Sequence, residues 1–577
     1  MKKLNAAAIA AFSLTLAACQ GSDPEAASSA STEVEPTPAP EVVEVVETVA
    51  SALPPIPGDG IDVDRYAEHL RILASDEFEG RAPGTRGERL TLDYLVGQFL
   101  ELGLAPGNGD SYLQPVPMVE LTNVERSDLT VQQGDESFTL NYPEQMIIGS
   151  RRLGTDPHGV SDSGLVFVGY GVVAPEYGWN DYEGLDVEGK TVVILVNDPG
   201  FETGNEDLFN GRAMTYYGRW TYKYEEAARQ GASAALIVHE TEPASYPWEV
   251  VINSWSGAQF ELGEPSGEPI MPLEGWITVD TARELFERAG LDFEAEKARA
   301  QTAEFDPVSL GMSVSGSVRN SIRRGESYNV VASIPGTERP DEAIVYVAHW
   351  DHLGRNMALP GTTGIYNGAV DNASGTAAML ELARLYQEAG APKRTVTFLV
   401  VTLEEYGLLG SRYYVNNPVI PTDHTVAAIN MDAMSLIGPT NDVVVVGYGS
   451  SELEDILLPA VEAQGRVMVQ EPTPEAGFYY RSDHFNFARV GVPALYAKGG
   501  VDHRELGTEY GMAQQREYRD VAYHKPADVF NPDWDLRGVA EDLELLYMVG
   551  RELADGEQWP NWREGNEFRA IRDADRP

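Results

Sequence analysis

The sequence predicts an α/β protein: a mixed, largely parallel sheet flanked by helices, with a β-rich region inserted ahead of it. Three observations carry that prediction. From residue 328 on, apolar runs of strand length (Val345–Ala348, Thr395–Val401, Val426–Met431, Val443–Val446, Ala494–Tyr496) alternate with helical stretches, notably Gly375–Ala389. Runs that are apolar throughout belong to strands covered on both faces, as parallel strands between helices are. Between about 115 and 320 the texture shifts to short β-rich runs at Leu165–Tyr170, Thr191–Val196 and Ala234–Val238. A chain of 577 residues also exceeds one ordinary core, so two or more domains are expected.

The elements follow in order. Lys2 and Lys3 precede the apolar run Ala6–Ala18, which has the length of an export signal and is short for a membrane span. The run ends in Leu16-Ala17-Ala18-Cys19. Small residues before a cysteine resemble the cleavage box of bacterial lipoproteins; an ordinary secretory signal near a chance cysteine is the alternative. Cys19 is the only cysteine, so no disulfide involves it, and its acylation would anchor an exported protein. Gln20 in the next position resembles outer-membrane lipoproteins of double-membraned bacteria. The expectation is therefore an exported, lipid-anchored protein of the outer membrane, facing the periplasm or the cell surface. Residues 1–18 are its signal. Residues 19–60, rich in Ala, Ser, Pro and Glu and without aromatics, are a disordered tether.

Residues 61–75 read as an amphipathic helix through Ile61, Tyr66, Leu70 and Leu73. The Gly-rich, charged loop Ser75–Gly87 leads to a second helix, Glu88–Leu102, with Leu90, Tyr94, Leu95, Phe99 and Leu102 on one face and Gly103 as its stop. The middle stretch holds a short helix at Glu225–Gln230 but no convergent set of histidines and carboxylates. His239, after Leu236–Val238, reads as structural. The formal net charge of -48 excludes nucleic acid as a partner, since nothing would neutralise phosphates, and suits attraction of cations. Dinucleotide, P-loop, serine-hydrolase and H-E-x-x-H signatures are absent from the sequence.

Chemistry enters where the later apolar runs end. One gives His349-Trp350-Asp351-His352, the next Glu404-Glu405, the third Asp432. Ionisable groups are seldom buried unless paired or metal-bound, and the carboxyl ends of strands in open α/β sheets are where ligands bind. Asp371, in Asn367–Gly375, bends over the same edge, although it or Ser374 could simply cap the following helix. His524 lies in the polar loop Tyr523–Asp528. Such donors suit zinc, and a carboxylate can bridge two ions that activate water for a base to deprotonate.

These segments, from Ala348–Gly354 through Gly368–Gly375, Glu404-Glu405 and Asn430–Asp432 to His524, resemble the M28 peptidases, a family of di-zinc aminopeptidases with the zinc-exopeptidase (phosphorylase/hydrolase-like) fold. The resemblance implies two zinc ions per chain. It implies that His349 and Asp432 ligate one, Glu405 and His524 the other, and Asp371 bridges both. It makes Glu404 the general base and then acid, with Asp351 outside the ligand set, holding His349 through its other nitrogen. Tyr480–Phe485 resembles a segment near the substrate pocket, so His484 is a candidate for substrate or oxyanion contact, against a structural role. His352 reads as structural. The resemblance also divides the chain: 61–140 as the first part of the catalytic domain, 141–318 as an inserted protease-associated domain, 319–577 as the metallopeptidase domain. Peptides with a free amino terminus are the implied substrates. Glutaminyl cyclase-like chemistry, carboxypeptidase activity and a non-catalytic surface binding protein are the alternatives.

Overall fold

The computed structural model describes residues 53–263 and 269–575. Cys19, the export run and most of the expected tether lie outside the described residues. The last part of that tether is docked rather than loose. Leu53 and Ile56 pack against the core, Arg384 donates to the Gly60 carbonyl at 2.7 Å, and the Asp62 amide donates to Glu381 at 2.7 Å. An average over a polar, Pro-rich stretch hides two apolar anchors near its end.

Asp62 caps α1 (Val63–Leu73), accepting a hydrogen bond from the Arg65 amide. Its buried side chains are Tyr66, His69, Leu70 and Leu73, the spacing of one helical face. A 3₁₀ turn, Asp76–Arg81, leads to α2 (Arg86–Leu102), which stops at Gly103 in the left-handed conformation (φ 77°). Leu92, Leu95 and Phe99 are its buried apolar face, one step round from the face expected, with Leu90, Tyr94 and Leu102 half-buried.

The strand β1 (Leu113–Arg126) runs antiparallel along Val318–Val330 of β2 (Val308–Ile334), a strand of 27 residues. One end of β2 pairs with the middle region, at His158–Phe167 and Leu129–Gln133; the other pairs with the sheet that carries the candidate site. The middle region is mixed β/α. Its strands His158–Phe167, Thr191–Leu195, Ala234–His239 and Leu273–Thr278 lie side by side and parallel, and Met146–Gly149 adds an antiparallel edge. Both faces are covered: Val193, Leu236 and Phe286 belong to one cluster, Val192, Ile194 and Trp276 to another. A short apolar run looks the same in a sandwich and in a parallel layer. The region's own core starts at Leu129 and Val131, ahead of residue 141. Its helix α3 spans Trp220–Arg229, longer than expected. His239 is structural, with Nε2 bonded to the Tyr246 carbonyl at 3.0 Å.

The second sheet contains β3 (Arg339–His349), β4 (Arg394–Val401), β5 (Thr425–Asn430), β6 (Asp442–Val445), β7 (Val467–Gln470) and β8 (Ala494–Gly499). Its order is β2-β4-β3-β5-β8-β6-β7; β4, β3, β5 and β8 are mutually parallel. This is the mixed, largely parallel sheet expected, each strand within a few residues of its apolar run. The helix α4 (Ser374–Ala389) connects β3 to β4 on one side, and β5 then returns to the other side of β3. That reversal opens a crevice at the carboxyl ends of β4, β3 and β5. Helices α1 and α2 pack on α4, and Tyr66, Phe99, Tyr346, Tyr386 and Phe398 share one core.

Candidate metal centre

Three neighbouring parallel strands hand over to ionisable residues at this crevice. β3 ends on His349, β4 leads within a few residues to Glu404 and Glu405, and β5 leads to Asp432. His349 Nε2 lies 3.3 Å from an oxygen of Asp371 and 3.3 Å from one of Asp432. On the other side, His524 Nε2 lies 3.2 Å from the second oxygen of Asp371 and 3.1 Å from Glu405. Asp371 thus turns Oδ1 to one histidine–carboxylate pair and Oδ2 to another. Ligand atoms around one tetrahedral zinc, at about 2.0–2.1 Å from the metal, stand roughly 3.3 Å apart. The observed separations fit that spacing twice over, with one shared carboxylate.

The turn carrying Asp371 is built for close approach. Gly368 has φ 55°, and a Cβ there would meet the Asp371 carbonyl at 2.3 Å and the His352 ring at 2.6 Å. Only glycine fits both the conformation and the space. The Asp371–Asn372 peptide is cis. Capping is not the role of Asp371 or Ser374: the Gly375 amide of α4 donates to Asn372 Oδ1 at 2.8 Å, and Ser374 donates to the Val370 carbonyl.

Two expectations need correction. His349 is not held by the Asp351 carboxylate, which is 3.9 Å away. Nδ1–H donates instead to the Asp351 main-chain carbonyl at 3.1 Å, and the carboxylate accepts from the Glu404 amide at 3.1 Å. The tight turn after β3 brings the carbonyl, not the side chain, under the ring. His484 is fully buried, packed between Tyr479 and Tyr496, and is not among the side chains that line the cleft. Burial pushes its pKa down to about 3, and its Nδ1 lies 3.3 Å from the Asn430 side-chain nitrogen.

His352 does more than fill space. Its Nδ1 is hydrogen-bonded to Glu405, and it groups with Asp371 and Glu405 within ligand-set dimensions. It fixes one Glu405 oxygen while the other faces His524. Glu404 Oε2 is 3.9 Å from His349 Nε2, beyond the ligand spacing. Burial raises the Glu404 pKa well above the usual carboxylate range, with His349 opposing and Glu405 and Asp432 adding to the rise. A set of buried carboxylates this dense is costly without cations to neutralise it.

Sequence patterns did not single out three further residues. Asp528 accepts from the Val370 and Asp371 amides at 2.9 and 3.1 Å and so holds the bridging turn. Ser482 donates to Asp432 at 2.7 Å. Arg81, from the turn before α2, is buried and donates to the carbonyls of Leu73, Trp350, Asn367 and Gly368 at 2.6–2.9 Å. It ties the N-terminal helices to both metal turns. Arg81→Met leaves those buried carbonyls unsatisfied. It is expected to cost at least about 3 kcal/mol of stability in urea unfolding and to weaken zinc binding in a competition titration. Wild-type stability in that variant would show that the clamp carries no weight.

The cluster opens into a cavity of about 2000 Å³ between the sheet edge and the middle region. Glu404, Asp432, Tyr496 and Tyr523 line one part, Trp220 and Tyr246 another.

A buried His/carboxylate pair of sites at a parallel sheet edge has the donor chemistry of a metal centre. Comparison with known proteins narrows it: residues 329–548 match the description of peptidase family M28, and every residue of the cluster falls inside that segment. The chain is 28% identical over 463 residues to aminopeptidase NAALADL1 of Mus musculus, covering 70% of this chain and 56% of that protein. It is 32% identical over 423 residues to the glutamate carboxypeptidase 2 homolog of Caenorhabditis elegans, covering 65% of this chain and 52% of that protein. The chain thus spans about half the length of these curated relatives. Among solved structures, an aminopeptidase from Aneurinibacillus sp. strain AM-1 is similar, with TM-score 0.46, 18% identity, and coverage of 86% of this chain and 95% of that one.

Proposed function

We propose that the protein is a two-zinc aminopeptidase that hydrolyses the first peptide bond of substrates with a free amino terminus. One observation carries this reading: Asp371 offers its two oxygens to two separate histidine–carboxylate pairs. In the proposal His349 and Asp432 hold one ion, Glu405 and His524 the other, and Asp371 both. When bound, the two ions would supply Lewis acidity and a water of lowered pKa. Glu404, buried beside the pair, is placed to act as the base that accepts a proton and as the acid that returns it to the leaving amine. Asp351 orients Glu404 through the Glu404 amide. The anionic edge favours a cationic substrate terminus. Residues 141–318 are proposed to be a protease-associated insert that orients substrate over the cleft. Cys19 is proposed as the lipid anchor of an exported outer-membrane protein.

Product analysis tests the reading. Leu-Gly-Gly with a free amine should release leucine, and its N-acetyl form should be untouched. Chelation should stop the reaction and zinc should restore it. Cleavage of the acetylated peptide from its carboxyl end would favour a carboxypeptidase. Cyclisation of glutaminyl peptides without hydrolysis would favour a cyclase.

A further inference from the structure

The cleft is richer in cations than a chain of net charge -48 leads one to expect: Arg126, Arg151, Arg219, Arg412, Arg481 and Arg489 all line it. Four answer to fixed partners. Arg151 pairs with Glu274, Arg412 with Glu261 and Arg489 with Glu225. Arg126 donates to the Trp255 carbonyl and lies over the Tyr142 ring. Arg219 and Arg481 differ. Neither has an ion pair to a carboxylate among the described residues; Arg481 lies over the Phe478 ring, and, as with Nε of Arg126 and Arg412, Nε of Arg219 and Nε and Nη2 of Arg481 are buried without a hydrogen-bond partner.

The two guanidiniums also feel each other: burial and then the Arg481 charge push Arg219 down to about 10. Arg219 stands at the amino end of α3, which has no side-chain cap there, so the helix adds positive character. Arg481 precedes Ser482, whose hydroxyl donates to Asp432. Both arginines line the same cavity as Glu404, Asp432 and His524. Two like charges left partly buried and unpaired are costly unless an anion covers them. Guanidinium groups match carboxylates through two parallel hydrogen bonds.

We propose that Arg219 and Arg481 form a carboxylate subsite that selects the substrate. It rests on the peptidase reading of the metal edge. The carboxylate belongs either to the carboxyl terminus of a short peptide or to an acidic side chain beside the scissile bond.

The test uses the zinc-loaded full chain with Leu-Gly-Gly, its C-terminal amide, and Leu-Glu-Gly-amide. A terminal-carboxylate site predicts kcat/KM at least tenfold higher for Leu-Gly-Gly than for its amide; a side-chain site predicts that advantage for Leu-Glu-Gly-amide. Arg219→Gln and Arg481→Gln should each erase the advantage through KM, leaving the neutral amide unchanged. Equal losses on charged and neutral peptides, or no wild-type preference for either carboxylate, would overturn the subsite. Calorimetric binding of the same peptides to zinc-loaded Glu404→Gln, with and without Arg219→Gln, separates the two readings. If no peptide is hydrolysed but the free acid still binds at least tenfold tighter through Arg219, the subsite stands and the peptidase reading falls.

Discussion

Glu404→Gln is expected to lower kcat on a leucyl peptide by about 10³-fold while zinc content stays at the wild-type level. The reason is position. Glu404 stands 3.9 Å from His349 Nε2, whereas Asp371 and Asp432 stand at 3.3 Å. It is close enough to serve a water on the metals and too far to share the ligand spacing. The amide keeps the size of the side chain, so the Asp351 contact to the residue 404 amide survives. Metal analysis and single-turnover kinetics on one preparation separate the outcomes. If zinc is lost together with activity, Glu404 is a ligand and the base lies elsewhere.

Asp371→Ala is expected to have the widest effect on the metal centre, because both halves lean on one carboxylate. Oδ1 serves the His349–Asp432 pair and Oδ2 the His524–Glu405 pair. Removing it takes one donor from each half at once, and zinc retained through gel filtration should fall to one ion or fewer per chain. Activity should fall by at least about 10³-fold, as for the loss of the base. Asp432→Ala touches one half and should cost one ion. Equal metal loss in the two variants would mean that Asp371 does not bridge. Asp528→Asn should show a weaker version of the Asp371 effect, since Asp528 reaches the centre through the Val370 and Asp371 amides.

The metal edge was legible in the sequence because its signals are local. His349, Glu404-Glu405 and Asp432 each follow an apolar run, and a run of that kind ending in a carboxylate or imidazole is visible without coordinates. Asp371 and His524 stood out only as polar loop residues, and family resemblance supplied their roles, since a loop residue shows no such punctuation. The structure places all of these in one cluster. What could not be read were contacts that cross the chain. Arg81 sits in a charged loop and looks solvated, yet it bonds to carbonyls nearly three hundred positions away. His484 looked available because it lies in a polar segment, but the aromatic rings around it close over the ring. The Asp351 carboxylate was expected under His349, and the turn delivered its carbonyl instead. In the middle region, apolar runs gave the strands but not which of them are neighbours or that they run parallel.

An anomalous-difference map at the zinc edge, from crystals of the full chain grown with zinc, tests the central claim most directly. The account predicts two peaks, one between His349 and Asp432 and one between Glu405 and His524, each in contact with a different oxygen of Asp371. A single peak, or two peaks that do not share Asp371, would contradict it.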